Sequence, residues 1–155
     1  MIILGIDPGT AVVGFGLIKK QNKLELIDYG CIKTSTDLTT AERLKEIDEQ
    51  LAKLIRKHNP QVVAVEDIFF FKNLKTAIKV SQARGVILAR AAKMKIQVEE
   101  YTPLQIKQAV SSYGRADKKQ VQEMVKLLLN LKEIPKPDDA ADALATAICC
   151  AHTIK

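Results

Sequence analysis

Ile2-Ile3-Leu4-Gly5-Ile6-Asp7-Pro8-Gly9-Thr10 decides the fold class of this chain. An unbroken apolar run leads into an acid and then a turn signal, which predicts a strand buried on both faces that ends on a carboxylate. Val62-Val63-Ala64-Val65-Glu66 repeats the pattern. In open α/β sheets, binding and catalytic groups gather outside the carboxyl ends of such strands, so Asp7 and Glu66 are expected to converge. A third acidic element, Asp139-Ala140-Ala141-Asp142-Ala143-Leu144-Ala145, reads as a helix, and residues three apart share a helical face. Carboxylates gathered at one spot repel one another unless something positive sits between them. Hard oxygen ligands with no Cys/His frame favour Mg²⁺ or Mn²⁺. Each acid also has a plainer reading. Asp7-Pro8-Gly9-Thr10 fits a type II turn with Pro and Gly in the middle. Asp138 or Asp139 fits an N-cap, and Glu66-Asp67 a solvated strand end. Jointly the pattern favours a site, because acids that directly end two apolar strands are poorly placed for solvation alone.

Working outward, strands are expected at about 2–7, 12–19 and 24–33, with Gln21-Asn22 in a hairpin turn. Thr39-Thr40-Ala41-Glu42 is a capping-box pattern opening an amphipathic helix whose apolar face runs through Leu44, Ile47, Leu51 and Ile55 until Asn59-Pro60 stops it. A strand at 61–66, a connection at 67–73, a helix at 74–93 and a strand at 95–101 follow. Thr102-Pro103-Leu104-Gln105 supplies a cap, a Pro at the first helical position and a reciprocal Gln. Ser111-Ser112-Tyr113-Gly114-Arg115 breaks that helix, and Asp117 caps the next. Its core face uses Val121, Met124, Val125, Leu128 and Leu131, and Pro135-Lys136-Pro137 ends it. The order implies α/β architecture, one mixed five-stranded sheet flanked by helices.

At 155 residues and 47% hydrophobic, the chain is expected to form a single domain over 1–155. No stretch approaches the roughly 18 unbroken apolar residues of a membrane span, and the first residues lack the basic and small-residue signature of a signal peptide. Cys31, Cys149 and Cys150 have no framework spacing, which suits reduced thiols in a cytoplasmic protein. Cys149, Cys150 and His152 lie too close together for a usual zinc site. Net charge is +6, from 24 Lys and Arg against 18 Asp and Glu. With several acids committed to the pocket, the remaining surface is more basic than the total implies, which suits a polyanion held by its phosphates.

Taken together, Ile6-Asp7-Pro8-Gly9-Thr10, Val65-Glu66 followed by Phe69 and Lys72-Asn73, Gln82-Ala83-Arg84-Gly85 and Asp139-Ala140-Ala141-Asp142 resemble the RuvC family of Holliday junction resolvases, in order along the whole chain. Asp7-Pro8-Gly9-Thr10 alone is a weak signal, since actin-like ATPases and sugar kinases carry a similar phosphate loop. The resemblance implies a ribonuclease H-like fold, a homodimer, structure-selective cutting of four-way DNA junctions and cooperation with a RuvA–RuvB branch-migration complex. It also implies that Asp7, Glu66, Asp139 and Asp142 hold two divalent metals. Some members carry His where Asp139 stands. Asp139-Ala140-Ala141-Asp142 fits the motif better than a register through Asp138, although Asp138 could contribute.

The chemistry expected is two-metal hydrolysis, in which one Mg²⁺ lowers the pKa of the attacking water and the other stabilises the leaving 3′ oxygen. Asp7, from the central strand, is the candidate bridge, with Glu66 and Asp142 completing the shells and Asp139 flanking. No well-placed Ser/His/Asp set argues for a covalent nucleophile. Phe69-Phe70-Phe71 cannot all face the core, and the resemblance points to Phe69 as a residue that stacks on an unpaired base. Lys107, Arg115, Lys118 and Lys119 are candidate DNA contacts; the resemblance places Lys107 and Lys118 near the cleaved phosphate, while a solvated helix face is the plainer reading of any one lysine. Gly14 and Gly16 allow either close approach of a phosphate backbone or tight internal packing. Ala83 and Gly85 offer close helix approach in a two-fold dimer, with monomer core packing explaining most of that stripe. The rival classes are an actin-like ATPase, which needs a second domain, a non-catalytic junction-binding module, and another ribonuclease H-like nuclease.

Overall fold

The N-terminal apolar run is the central strand of a five-stranded sheet. The computed structural model describes residues 1–67 and 73–154. Its strands are β1 (Ile2–Asp7), β2 (Val12–Lys20), β3 (Leu24–Lys33), β4 (Val62–Glu66) and β5 (Gln97–Tyr101). The helices are α1 (Thr40–His58), α2 (Leu74–Lys93), α3 (Pro103–Ser111), α4 (Lys118–Leu128) and α5 (Asp138–Thr153). The sheet order is β3-β2-β1-β4-β5. The first three strands form antiparallel hairpins, and β4 and β5 extend the sheet in parallel on the other side of β1.

Alternation along the strands divides the core in two. Ile3, Ile18, Val62 and Ala64 face α3, α4 and α5. Leu4, Ile6, Leu17, Val63 and Val65 face α1 and α2. Both clusters are built almost entirely of buried apolar side chains, as expected where a sheet is covered on both faces.

Local chemistry sets most boundaries. Thr39 with Glu42, Thr102 with Gln105 and Asp117 with Gln120 each form a complete capping box, a device that stabilises a helix start by about 1 kcal/mol. Asn59 ends α1 in the left-handed region at φ 47°. Three expectations need correction. β5 begins at Gln97, two residues later than the periodicity suggests, because Lys95 takes a left-handed turn at φ 56°. α4 ends at Leu128, since Asn130 turns left-handed at φ 51°; Leu131 packs on the core from the following loop, well before Pro135. Asp7-Pro8-Gly9-Thr10 is not a type II turn, because no glycine has positive φ. Gly9 is needed for space instead, as a Cβ there would lie 2.2 Å from the Val12 carbonyl oxygen.

Candidate active site

Strand alternation brings the acids together. Ile3, Gly5 and Asp7 share a face of β1, and Val62, Ala64 and Glu66 share the same face of β4, the face covered by α5. Asp7 and Glu66 therefore emerge side by side at the carboxyl ends of adjacent parallel strands, under the start of the helix that carries Asp139 and Asp142.

Glycines let α5 come this close. Gly5 pairs with Gly16 and Asp7 with Gly14 across the β1–β2 ladder. A Cβ on Gly14 would lie 2.0 Å from the Asp139 carbonyl oxygen, and one on Gly5 would lie 2.1 Å from that of Ala143. A Cβ on Gly16 would strike Leu144 at 2.7 Å. Of the two readings of Gly14 and Gly16, internal packing is the correct one, and Gly5 belongs with them. α5 itself is almost wholly buried and rich in alanine, which keeps its contact surface flat.

Neither Asp138 nor Asp139 is an N-cap. Pro137 holds that position without a side-chain hydrogen bond, and both acids lie in the first turn, where a helix favours negative charge. Asp138 turns toward lysines, accepting a hydrogen bond from Lys136 Nζ at 3.1 Å and lying 3.6 Å from Lys118 Nζ. Asp67, beside Glu66, turns away from the pocket toward α2. Arg84 Nη2 sits 3.0 Å from its carboxylate and also pairs with Glu100, and the Asp67 N–H donates to the Tyr101 carbonyl at 2.8 Å. This clamp ties the end of β4 to α2 and β5. The doubled acid Glu66-Asp67 was its only signal in the sequence.

The electrostatics mark the pocket as short of positive charge. Burial pushes the Asp7 carboxyl up to about 8, helped by repulsion from Glu66, Asp142 and Asp139. Burial likewise raises Glu66 to about 7, with Asp142 adding to the shift and Lys107 and Lys118 opposing it. Asp142 is raised by burial despite a hydrogen bond from Lys118 Nζ at 2.9 Å. For Lys118, burial lowers the ammonium pKa, but Asp142 and Asp138 more than offset this and leave it raised.

A cavity of about 300 Å³ opens beside these groups, lined by Glu66, Lys107, Lys118 and Asp142 over an apolar floor of Ile106, Val121 and Ala145. The structure thus brings Lys107 and Lys118 into the acidic pocket. Lys119 instead faces a separate cavity on the other side of α4, and Arg115 is exposed on the preceding loop. Phe69, with Phe70 and Phe71, lies outside the described residues.

The donor set suits a hard divalent cation: carboxylate oxygens only, with two acids held above their ordinary range by burial and mutual repulsion that a cation relieves. As the side chains stand, no three His, Cys, Asp or Glu groups among the described residues converge on a single point. Asp142 is drawn to the Lys118 ammonium instead.

Comparison with known proteins places this chain in a family. The sequence model described as Crossover junction endodeoxyribonuclease RuvC matches residues 3–150. The chain is 59% identical to the Crossover junction endodeoxyribonuclease RuvC of Halothermothrix orenii over 150 residues, 96% of this chain and 91% of that protein. It is 57% identical to that of Alkaliphilus metalliredigens, covering 99% and 94%. The structure of T. thermophilus RuvC in complex with Holliday junction substrate superposes with a TM-score of 0.89 at 36% identity, covering 98% of this chain and 93% of that one. The yeast mitochondrial Holliday junction resolvase Ydc2 shares the fold, at 17% identity and a TM-score of 0.69. With its ribonuclease H-like sheet, the chain belongs to the RuvC family of crossover junction endodeoxyribonucleases.

Proposed function

We propose that this chain is a metal-dependent endonuclease that resolves four-way DNA junctions by paired nicks, with Asp7, Glu66, Asp139 and Asp142 as its metal-binding and catalytic residues. The observation that carries the reading is that β1, β4 and α5 place Glu66, Asp142 and Asp139 within electrostatic reach of Asp7, in a chain whose relatives bear the name crossover junction endodeoxyribonuclease. The two core layers share one sheet, which supports a single nuclease domain over 1–155.

Two Mg²⁺ ions, or Mn²⁺ in their place, would be held by Asp7, Glu66, Asp142 and Asp139 and would supply an activated water and charge stabilisation at the leaving 3′ oxygen. The protein contributes position and charge. Asp7 and Glu66 are fixed by the sheet, and Asp139 and Asp142 by the glycine-seated helix. Lys107 and Lys118 bring two ammonium groups into the same cavity, where they would orient a phosphate and balance its charge. Arg115 and Lys119 would hold the flanking backbone, and Phe69 would stack on an unpaired base. Hydrolysis by water would leave 5′-phosphate and 3′-hydroxyl ends.

A homodimer gives two identical pockets for two opposed strands. In support, α2 presents exposed Leu74, Ile78 and Gly85 along its outer face. Ala83 does not belong to that face, being fully buried in the monomer's own core. The family resemblance supports cooperation with a RuvA–RuvB complex, and cysteines without framework spacing support work in the cytoplasm. No helix among the described residues is long and apolar enough to cross a membrane.

The deciding experiment is cleavage of a synthetic mobile four-way junction with Mg²⁺, by the native chain and by Asp7→Asn. We expect symmetric, ligatable nicks from the first. From the second we expect junction binding with at least a hundredfold slower nicking. Near-native nicking by Asp7→Asn would overturn the assignment.

A further inference from the structure

The second cavity, on the far side of α4 from the acids, holds about 420 Å³ and is lined by Tyr113, Ala116, Lys119, Gln120, Glu123 and Met124, among others. Ala116 and Met124 are apolar, and Tyr113 adds an aromatic ring that is 56% exposed. The backbone that carries this ring is pinned. The Ala116 N–H donates to the Tyr113 carbonyl at 3.0 Å, Ala116 is buried in the core, and Ser111 Oγ lies 3.0 Å from the same oxygen, sharing its one proton with the Lys107 carbonyl at 2.7 Å. An exposed ring on a fixed loop loses little freedom when something stacks on it.

The charges select the occupant. Asp117 and Glu123 line the cavity, so a phosphate inside would meet two carboxylates. An uncharged, flat group with polar edges suits these walls. Lys119, which also lines the cavity, and exposed Arg115 nearby suit the phosphates that flank such a group. Position agrees, because α4 sends Lys118 and Val121 into the acidic pocket and Lys119, Gln120, Glu123 and Met124 into this one, on opposite faces of one helix. A helix is about 10–12 Å across with its side chains, and a stacked strand advances about 3.4 Å per nucleotide. A strand held at the acids reaches this cavity about three nucleotides away.

We propose that the cavity beside Tyr113 is a nucleobase subsite, which takes an unstacked base about three nucleotides from the cut, with Tyr113 as its stacking platform and Lys119 and Arg115 on the flanking phosphates. This rests on the junction-cutting reading and goes beyond it.

The test places 2-aminopurine at successive positions along the cut strand of a mobile junction and measures its emission and the binding affinity, without divalent metal, for the native chain, Tyr113→Ala, Tyr113→Phe and Lys119→Ala. We expect a change in 2-aminopurine emission about three nucleotides from the cut in the native chain and in Tyr113→Phe, and its loss in Tyr113→Ala. Affinity should fall at least about fivefold in Tyr113→Ala, with an unchanged salt slope. Lys119→Ala should retain the emission change and lower the log–log salt slope by about one. The proposal falls if Tyr113→Ala binds and responds like the native chain, or if Tyr113→Phe is as impaired as Tyr113→Ala. If the native chain cuts no junction with Mg²⁺, the parent reading fails instead, whatever the 2-aminopurine reports.

Discussion

The Lys118 ammonium donates to Asp142 Oδ2 at 2.9 Å, across the gap between α4 and α5, and this pairing would set the lysine against the proposed metal in competition for one carboxylate. Lys118→Ala should therefore have two opposed effects. Mg²⁺ should bind the DNA-free protein severalfold more tightly by calorimetry, while junction affinity falls and its log–log salt slope drops by about one. Weaker Mg²⁺ binding in the variant would show that Lys118 organises the acids rather than competing for them.

Asp7 makes the metal-free protein sensitive to pH. Its carboxyl is raised to about 8 in the fold, against about 3.9 in an unfolded chain. Between these values the native state keeps a proton that the unfolded state has lost, so this group's contribution to stability falls as pH rises from about 4 to 8. Asp7→Asn removes that slope. In chelator, the variant should melt higher than the native chain at pH 8, by about 2–10 °C, with little difference near pH 4. Thermal scans at both pH values check it. A melting difference independent of pH would exclude charge burial as the cause.

Two glycine-to-alanine changes should act with opposite sign. Gly14→Ala places a methyl 2.0 Å from the Asp139 carbonyl oxygen, so α5 must move. We expect a loss of about 1–3 kcal/mol by chemical denaturation, together with a collapse of nicking. Gly85 lies within α2 with nothing near its Cβ position. Gly85→Ala should stabilise by up to about 1 kcal/mol through helix propensity.

The same open space makes Gly85→Glu a clean probe of the proposed dimer. Because a Cβ at this position meets nothing within 4 Å among the described residues, the monomer should fold with an unchanged circular dichroism spectrum. Sedimentation should shift toward the 17.2 kDa monomer, and paired nicks should give way to single ones. An unaltered dimer would move the interface off this part of α2.

The strands, two of the three capping boxes, the Asp117 cap and the acids at the ends of β1 and β4 were legible in the sequence because each rests on local chemistry or on a short period. Thr39-Glu42, Thr102-Gln105 and Asp117-Gln120 announce their helices within four residues. The end of α4 was not legible, since Leu131 continues the apolar period and only a left-handed Asn130 breaks it. The roles of Gly14 and Gly16 stayed open for another reason: a missing side chain says that something comes close without saying what. Lys118 with Asp142, and Arg84 with Asp67, join residues on separate elements. Only tertiary packing brings them together, and no periodicity encodes it.

The seat of α5 on Gly5, Gly14 and Gly16 has a consequence for how this site can be altered. Most cores absorb a changed side chain by sliding a helix a few tenths of an ångström. Here the helix rests on backbone atoms, and the separation of Asp139 from Asp7 inherits the tolerance of covalent geometry. Substitutions elsewhere beneath α5 should leave the dimensions of the pocket unchanged until the fold fails. An engineer who wishes to widen or narrow the spacing of the acids has one graded adjustment, the length of the acidic side chains themselves, Asp139→Glu before any other.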